Sequence, residues 1–219
     1  MRFRTVLFDL DGTLIDHLPA IHRSYAHTLP LLGLPAPTCQ QVKNAIGGGL
    51  ENAMRNFVPE AKMPEALRIY RAFWDTTMLD GAEPMPGARA LLEDLHDRGV
   101  ACGVFTNKHG PSARAVCAHL GLTPYLDLIL GAKDTDWLKP QPEFAAHALD
   151  ELKAVAATTC LVGDSPWDVQ AAHAAGFPCF VVTTGTHTAG ELRAAGADAI
   201  YDSLLALGEG EFAPAAARV

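Results

Sequence analysis

Short apolar runs recur along this chain, and most are separated by segments whose apolar residues follow helical spacing. Such runs, bounded by polar or turn residues, are typical of buried strands, and strands that alternate with helices are typical of a parallel sheet. The pattern therefore predicts an α/β protein built on a doubly wound parallel sheet. The predicted strands lie at 5–10, 100–105, 127–131, 159–163, 178–183 and 199–201.

Two of the intervening segments carry strong helix signals. The apolar residues within 88–95 follow i, i+3, i+4, i+7 spacing, and Gly99 is placed to end that helix. A second helix is predicted from Pro166, after Ser165, to Gly176, because proline favours the first turn of a helix and glycine its end. Both helices would connect strands of the sheet.

A long connection follows the first strand and predicts an inserted domain. Roughly seventy residues without a strand pattern precede the helix after Pro86-Gly87, far more than a usual strand-to-helix loop. Their helical stretches are 17–33, 38–46, 49–58 and 63–79. The predicted domains are an α/β core of residues 1–15 and 82–219 and a helical insert of residues 16–81. An insert that rejoins the sheet beside its first carboxylates would act as a lid.

Composition and charge narrow the choice of partners. The chain has 219 residues, of which 49% are apolar and 19% charged, as in an ordinary globular protein. Its net charge of −8 disfavours nucleic acids and anionic membranes, because the overall field repels their phosphates. No run approaches the roughly 20 apolar residues of a membrane span, and Asp9 and Asp11 interrupt the first apolar stretch before a signal-peptide core could form.

The cysteines point to a reducing compartment. Their number is odd, they have no CxxC spacing, and most lie in apolar strand or helix patterns. These features favour buried, reduced thiols over disulfides or a metal site, and so predict a cytoplasmic protein. The cysteines are Cys39, Cys102, Cys117, Cys160 and Cys179.

The first strand ends in two carboxylates. Asp9 and Asp11 follow an apolar run directly, and residues i and i+2 of an extended chain point the same way. Charge at the end of a buried strand must be paired or ligated, so this pair predicts a bound cation. Gly12 then allows a sharp turn. The alternative is a surface Asp-Gly turn with a solvated Asp9.

Other polar residues follow the later strands. In an open parallel sheet, ligands bind outside the carboxyl ends of the strands, so residues at these ends are expected to share one site. Carboxylates there would hold Mg²⁺, whereas a hydroxyl, an ammonium and backbone N–H groups would bind phosphate oxygens. The residues so placed are Asp9, Asp11, Thr106, Asn107, Lys139, Asp164 and Asp168.

The ordered motifs resemble those of the haloacid dehalogenase (HAD) superfamily. They are Asp-x-Asp-Gly-Thr, a threonine after the second core strand, Lys-Pro before a helix, and Gly-Asp-Ser-x-x-Asp. The resemblance implies a Rossmann-like core, and the insert resembles the helical cap of the first subclass. Thr106-Asn107-Lys108 and Lys139-Pro140-Gln141-Pro142 are similar to phosphoglycolate phosphatase-like members.

The resemblance implies a hydrolase that forms an aspartyl phosphate and needs Mg²⁺. Asp9 would be the nucleophile, because a carboxylate can accept a phosphoryl group and release it to water. Asp11 would protonate the leaving alkoxide and then accept a proton from the hydrolytic water. Mg²⁺ would be held by the Asp9 side chain, the main-chain carbonyl of Asp11 and Asp164.

The remaining motif residues would bind the phosphoryl group. Thr106 would contact its oxygens together with backbone N–H groups near the two motifs, at Leu10 and Asn107. Lys139 would pair with both the phosphoryl group and the nucleophile. Asp168 would orient Lys139 or a metal-bound water; alternatively, it only favours its helix N-terminus.

Several functional alternatives stay open at this stage. A sugar phosphomutase is disfavoured by Thr13, where such enzymes carry valine, and a phosphonatase by the sequence context of Lys43 and Lys62. Cleavage of a C–halogen bond is disfavoured because haloacid dehalogenases proper lack an acid at the position of Asp11. A non-catalytic phosphate-binding regulatory protein is the alternative from another class.

The expected substrate is a small phosphorylated metabolite, with phosphoglycolate as the first candidate, and the expected assembly is a monomer or homodimer. His17 follows the first motif, at the expected hinge of the insert, and is a candidate to touch substrate. Lys108 either adds positive potential near the phosphate or lies at the surface. The loop 47–49 contains three glycines and is either a reader of the leaving group or a plain turn.

Overall fold

A computed structural model describes residues 2–213 of the chain. Its largest element is a sheet of parallel strands, accompanied by a short antiparallel pair. In chain order the strands are β1 (Thr5–Phe8), β2 (Ile15–Asp16), β3 (Glu83–Pro84), β4 (Ala101–His109), β5 (Leu128–Ala132), β6 (Thr159–Gly163), β7 (Cys179–Val182) and β8 (Ala199–Tyr201).

The prediction of an α/β fold with a doubly wound parallel sheet is confirmed. The six-stranded sheet has the order β5-β4-β1-β6-β7-β8, and every neighbouring pair in it is parallel. Strands β4 and β5 lie on one side of β1, and the chain then crosses so that β6 lies on the other side. This reversal opens a crevice outside the carboxyl ends of β1 and its neighbours, where ligands bind in such sheets.

Helices cover the sheet and fill the long connection after β1. The two predicted linker helices are present as α5 and α8, within two residues of the predicted ends. The helices are α1 (Leu18–Leu31), α2 (Cys39–Ala45), α3 (Leu50–Met54), α4 (Met63–Thr77), α5 (Ala88–Asp97), α6 (Gly110–His119), α7 (Pro142–Glu151), α8 (Pro166–Ala174), α9 (Ala189–Ala194) and α10 (Leu204–Leu207). Short 3-10 turns occupy Glu60–Lys62, Thr123–Tyr125 and Ala156–Thr158, and a π-helical turn occupies Gly208–Phe212.

Apolar cores lie on both faces of the parallel sheet. Val6 and Phe8 belong to one buried cluster and Leu7 belongs to the other, as the alternation of side chains along β1 requires. Complete burial of each such side chain is worth about 1.5–3 kcal/mol. This two-sided core fixes β1 in place and thereby fixes the position of the acids that follow it.

The helices between β2 and β3 pack around a third apolar cluster of their own. This cluster includes Tyr25, Tyr70 and Trp74, which stack or pack edge to face. The chain enters and leaves this helical segment through the antiparallel β2–β3 pair, in which Ile15 faces Pro84. Neither strand was predicted from the sequence, because two-residue strands are too short to produce an alternating pattern.

Four of the five cysteines are buried and Cys39 is exposed; all five are free thiols. Burial raises the pKa of Cys102 and of Cys117 to about 12, so these thiols are protonated and unreactive at neutral pH. Among residues 2–213, no helix is both long enough and apolar enough to cross a bilayer.

Candidate active site

Asp9 stands at the crevice because β1 ends one residue earlier. Its backbone N–H donates to the carbonyl of Val162 at 2.8 Å, which keeps the chain extended against β6. The chain then turns at Gly12, whose φ of 89° favours glycine. A Cβ at Gly12 would lie 2.8 Å from Oδ2 of Asp164, so the turn also needs a residue without a side chain there.

Lys139 joins two of the predicted acids from a loop between β5 and α7. Its Nζ donates to Oδ1 of Asp9 at 2.7 Å and to Oδ1 of Asp168 at 2.6 Å. The lysine side chain is only 2% exposed. Burial alone would lower the pKa of Lys139, but Asp168 and Asp9 outweigh burial and raise it above its usual value. Lys139 is therefore a permanent cation inside the site.

Asp168 lies in the first turn of α8, where its carboxylate is fully buried. Its Oδ2 accepts from Oγ of Ser165 at 2.6 Å and from the backbone N–H groups of Ser165 and Asp164 at 3.0 and 3.2 Å. With Oδ1 bound to Lys139, both oxygens are occupied. Asp168 thus caps its helix with one oxygen and contacts the lysine with the other. The two roles that the sequence left as alternatives, helix capping and orientation of Lys139, are compatible in this geometry.

Asp164 directly follows β6 and is 2% exposed. Its Oδ1 accepts from Oγ1 of Thr13 at 3.1 Å, and its Oδ2 accepts from the backbone N–H of Thr186 at 3.0 Å. A Cβ at Gly185 would lie 1.8 Å from Oδ2, so only glycine permits this close approach of the loop after β7. Thr186 was not among the predicted site residues, although its place after a strand was a usable signal.

The carboxylates of Asp9, Asp164 and Asp168 converge, with one oxygen of each within 4.8 Å of the others. Burial, reinforced by Asp168 and Asp11 and opposed by Lys139, raises the pKa of Asp9 to about 6. Burial and the neighbouring acids also raise the pKa of Asp164 well above its usual value. The single positive charge of Lys139 does not neutralise three carboxylates. The site therefore has excess negative charge, which a bound divalent cation would compensate.

Asp11 is held apart from that group by two basic side chains. Nζ of Lys108 donates to both carboxylate oxygens of Asp11, at 3.0 and 2.9 Å, and Nδ1 of His17 lies 3.3 Å from Oδ1. Burial raises the pKa of Asp11, but Lys108 and His17 outweigh it and hold the pKa well below its usual range. Lys108 is 7% exposed and packs over the ring of Trp74, so it is not a surface lysine.

The structure brings Thr106 to the same crevice as Asp9, and Leu10 and Asn107 follow these two residues in the chain. Oγ1 of Thr106 accepts from the N–H of Lys108 at 3.2 Å. The carbonyl of Leu10 accepts from the N–H groups that form the turn to β2. β4 extends to His109, beyond the predicted strand end, with a break in its register against β5 after Phe105. Thr106 and Asn107 lie in this irregular stretch.

The predicted contact of Asn107 with phosphate is through its backbone N–H, whereas its side chain is engaged by the protein. Its Nδ2 donates to the carbonyls of Gly47 and Lys139 at 3.0 and 3.1 Å, and its Oδ1 accepts from the N–H of Lys139 at 2.8 Å. One amide therefore ties the lysine loop and the glycine loop of the insert to β4.

We expect Asn107→Ala to lower the free energy of unfolding by about 2–4 kcal/mol, because three hydrogen bonds are lost and the partners stay buried. Urea denaturation checks this value. The matched control is Asn56→Ala, whose amide contacts only carbonyls of the same exposed helix end, with an expected cost below about 1 kcal/mol. Equal costs in the two variants would contradict the bridging role of Asn107.

These residues open on a cleft of about 190 Å³ between the sheet and the helical insert. Its sheet side contains Asp9, Asp11 and Thr106, and its other side is the aromatic surface of Tyr70 and Trp74. The carboxylate of Asp9, which the Lys139 ammonium holds, thus borders one cleft together with a second acid and a hydroxyl. Such a set suits transfer of an anionic group from a small molecule.

The comparisons with known proteins agree with this architecture. A family model of haloacid dehalogenase-like hydrolases matches residues 6–182. A phosphoglycolate phosphatase of Cupriavidus necator is 36% identical over 208 residues, which cover 92% of this chain and 90% of that protein. The protein named "Probable phosphatase IndB" of Dickeya dadantii is 35% identical over 204 residues, which cover 90% of this chain and 89% of that protein.

A solved structure gives the same result for the fold. A haloacid dehalogenase-like family hydrolase from Streptococcus pneumoniae superposes with a TM-score of 0.87 at 24% identity, over 94% of this chain and 97% of that one. At this identity the likeness establishes the fold alone. The family match over most of the chain and two relatives above 30% identity lead to one conclusion: the chain belongs to the haloacid dehalogenase-like hydrolase family.

Proposed function

We propose that the protein is a Mg²⁺-dependent phosphatase of small phosphomonoesters that works through an aspartyl phosphate on Asp9. The observation that carries the proposal is the position of the Asp9 carboxylate, which borders the cleft while Lys139 holds its other side at 2.7 Å. Names of relatives that include phosphatases support the reaction class.

In the first step, an oxygen of Asp9 attacks phosphorus, a new O–P bond forms, and the bond to the ester oxygen breaks. Lys139 fixes the nucleophile and contributes a positive charge beside the phosphoryl oxygens. Thr106 lines the same cleft and donates its hydroxyl to one of these oxygens. Asp168 keeps Lys139 in place, since it accepts a hydrogen bond from that ammonium at 2.6 Å.

Asp11 moves the protons. It gives a proton to the departing ester oxygen, and its carboxylate then takes one from the water that attacks the aspartyl phosphate, which frees phosphate and restores Asp9. The contact with Lys108 holds Asp11 ionised in the resting site. Before it can act as an acid, Asp11 must therefore leave Lys108 and take up a proton from the solvent. In later turnovers the proton taken from the hydrolytic water serves as this proton.

The acids also suit a divalent cation. Asp9 and Asp164 have oxygens within 4.8 Å of each other, and burial, reinforced by neighbouring acids, raises the pKa of both. These two side chains, with the main-chain carbonyl of Asp11, would hold Mg²⁺. Hard oxygen donors are the ligands that Mg²⁺ prefers. When bound, Mg²⁺ shields the nucleophile from the charge of the phosphate.

Residues 16–81 serve, in this proposal, as a cap over the cleft. Contacts that support closure join the insert to the core: Nε1 of Trp74 donates to Oγ of Ser112 at 3.1 Å, and Asn107 donates to Gly47. Gly47 also lies against Trp167, where a Cβ would come within 2.9 Å of the indole. A closed cap excludes bulk water from the aspartyl phosphate and selects the leaving group.

Phosphoglycolate is the proposed first substrate, on the strength of the relatives that carry this name. The test is phosphate release from a panel of phosphorylated metabolites, ranked by kcat/KM. Release of phosphate from none of them would leave the non-catalytic phosphate-binding alternative, and isomerised sugar phosphate would favour a phosphomutase. The buried free thiols support a cytoplasmic location.

Removal of the cation is expected to abolish phosphate release and to lower the melting temperature at neutral pH. A ligand at about 100 times its Kd stabilises the folded state by roughly 2.7 kcal/mol, which corresponds to roughly 5–10 °C for a chain of this size. Differential scanning fluorimetry with EDTA and with Mg²⁺ measures the shift, and NaCl of equal ionic strength is the control.

The Mg²⁺-induced shift is expected to be smaller at pH 5 than at pH 7.5. The pKa of Asp9 is raised from 3.8 to about 6 in the folded, cation-free protein, so the folded chain binds this proton more tightly than the unfolded chain. Without the cation, stability therefore falls as the pH rises from about 4 to about 6. Below pH 6 the cation must displace a proton. A Mg²⁺ shift that is equal at both pH values would contradict this account.

A further inference from the structure

His17 lies where the chain passes from β2 into α1, and its ring is buried at 1% exposure. Its Nε2 is 2.5 Å from the carbonyl of Met78, the residue that ends α4 on the returning side of the insert. The ring also packs against Trp74, with centroids 5.0 Å apart. His17 thus joins the outgoing and returning segments of the insert at the hinge.

The other ring nitrogen faces the proposed acid. Nδ1 of His17 lies 3.3 Å from Oδ1 of Asp11, and among the described residues it has no aligned hydrogen-bond partner. A buried ring nitrogen without an aligned partner is uncommon, because no hydrogen bond offsets the free-energy cost of its desolvation. Because Nε2 donates its proton to the carbonyl of Met78, Nδ1 has a lone pair. It is placed to accept a hydrogen bond from the Asp11 carboxyl in its acid form, the form that the leaving group needs, after a small movement of either group.

We propose that His17 is a positioning residue that sets the Asp11 carboxylate for protonation of the leaving group. Lys108 and His17 approach Asp11 from different parts of the molecule, the first from β4 and the second from the hinge. When Asp11 leaves Lys108 for the ester oxygen, His17 stays beside it. Because the carbonyl of Met78 anchors the ring, the orientation of Asp11 follows the position of the insert. This inference rests on the proposed function.

The dependence on the leaving group separates this role from a purely structural one. An alkoxide needs a proton as it departs, whereas p-nitrophenolate departs without one. The value of kcat/KM reports the steps through the first phosphoryl transfer, so it isolates leaving-group departure from the later hydrolysis of the aspartyl phosphate. Loss of His17 is expected to affect alkyl esters far more than aryl esters.

The experiment measures kcat/KM of the full chain with Mg²⁺ for β-glycerol phosphate and p-nitrophenyl phosphate. His17→Phe retains a ring against Trp74 and removes both nitrogens. We expect a loss of about 10²-fold for the alkyl ester, the size of a general-acid contribution, and a loss at least about tenfold smaller for the aryl ester. His17→Gln keeps an N–H for the carbonyl of Met78, so that carbonyl is not left unpaired. We expect this variant also to lose more kcat/KM for the alkyl ester than for the aryl ester.

His22→Gln is the matched control, because Nε2 of His22 contacts the carbonyl of Pro37 at 3.0 Å within the insert and not the acid. Its two kcat/KM values are expected to fall equally or not at all. Equal losses for the two esters in the His17 variants, or no loss, would overturn the proposal. A wild-type protein that releases phosphate from neither ester nor from any member of the metabolite panel would instead overturn the proposed function. If another alkyl phosphomonoester of the panel is the better substrate, it replaces β-glycerol phosphate in the comparison.

Discussion

Replacement of Lys139 by alanine is expected to lower kcat/KM for phosphate release by at least about 10²-fold and to destabilise the fold. The ammonium of Lys139 bridges Asp9 and Asp168. Its removal leaves two buried carboxylates without a cation between them. Loss of one member of a buried ion pair costs about 3–5 kcal/mol, because the remaining charge is not compensated.

The stability loss should depend on pH in a specific direction. Without the ammonium, the carboxylates of Asp9 and Asp168 can relieve their repulsion only by binding a proton. The Lys139→Ala variant should therefore recover much of the lost free energy at about pH 5, where Asp9 of the folded protein, with its pKa near 6, is largely neutral. Urea denaturation at pH 5 and at pH 8, in EDTA, measures this difference.

Lys133→Ala is the matched control. Lys133 also borders the cleft, but its side chain is 67% exposed and lies 3.9 Å from Glu51. Exposed pairs of this kind contribute at most about 1 kcal/mol. If the two lysine variants lost equal activity and stability, general positive charge at the cleft would explain the result, and the specific bridge would be refuted.

The position of the site followed from the sequence because strand ends in a parallel sheet share one edge. Asp9, Asp164 and Thr106 lie after or near the ends of strands that the apolar runs marked clearly. Thr186 follows β7 in the same way and binds Asp164. Unlike Thr106, it belongs to none of the ordered motifs, and a neutral hydroxyl residue in a loop gives no charge signal, although the same strand-end rule applies to it.

Other contacts at the site join residues that are far apart in the chain, and the spacing of residues along the sequence does not predict them. Lys108 could be a surface lysine or an active-site lysine on sequence alone, and only its pairing with Asp11, 97 positions away, decides the matter. Asn107 was close to the site, as predicted, yet its amide groups bind backbone from two other segments. Which polar atom a neighbouring loop occupies is a tertiary property, so local chemistry could not predict it.

The helices between β2 and β3 were predictable from the length and helical spacing of this segment, but the short strands that join the segment to the core were not. The β2–β3 pair contains two residues per strand, and no alternation can develop over so short a stretch. His17 lies beside this pair, and its contact with Met78 joins residues 61 positions apart. Sequence position placed His17 near a hinge, whereas the direction of its two ring nitrogens required the folded chain.

Asp9→Asn is expected to reduce turnover by at least about 10⁴-fold, because an amide oxygen is a poor nucleophile and cannot regenerate a carboxylate after phosphoryl transfer. Acid quenching during turnover of a ³²P-labelled phosphomonoester should give a labelled, hydroxylamine-sensitive wild-type protein and an unlabelled variant. Asp97→Asn, on the exposed side of α5, is the matched control and should retain the label. A labelled Asp9→Asn variant would assign the nucleophile elsewhere.

The same variant should be at least as stable as the wild type in EDTA, and this distinguishes loss of chemistry from loss of fold. Ionised Asp9 is unfavourable in the folded state, because its pKa is raised from 3.8 to about 6, chiefly by burial. That penalty is absent below about pH 4 and complete above about pH 6, where it amounts to about 2–3 kcal/mol. Asparagine removes the charge but keeps an oxygen for Lys139, so the variant should gain stability at pH 8 and little at pH 4. The contradicting result is a variant that is inactive and also destabilised at pH 8. It would show that Asp9 stabilises the fold through its pair with Lys139, and that excess negative charge does not destabilise the site.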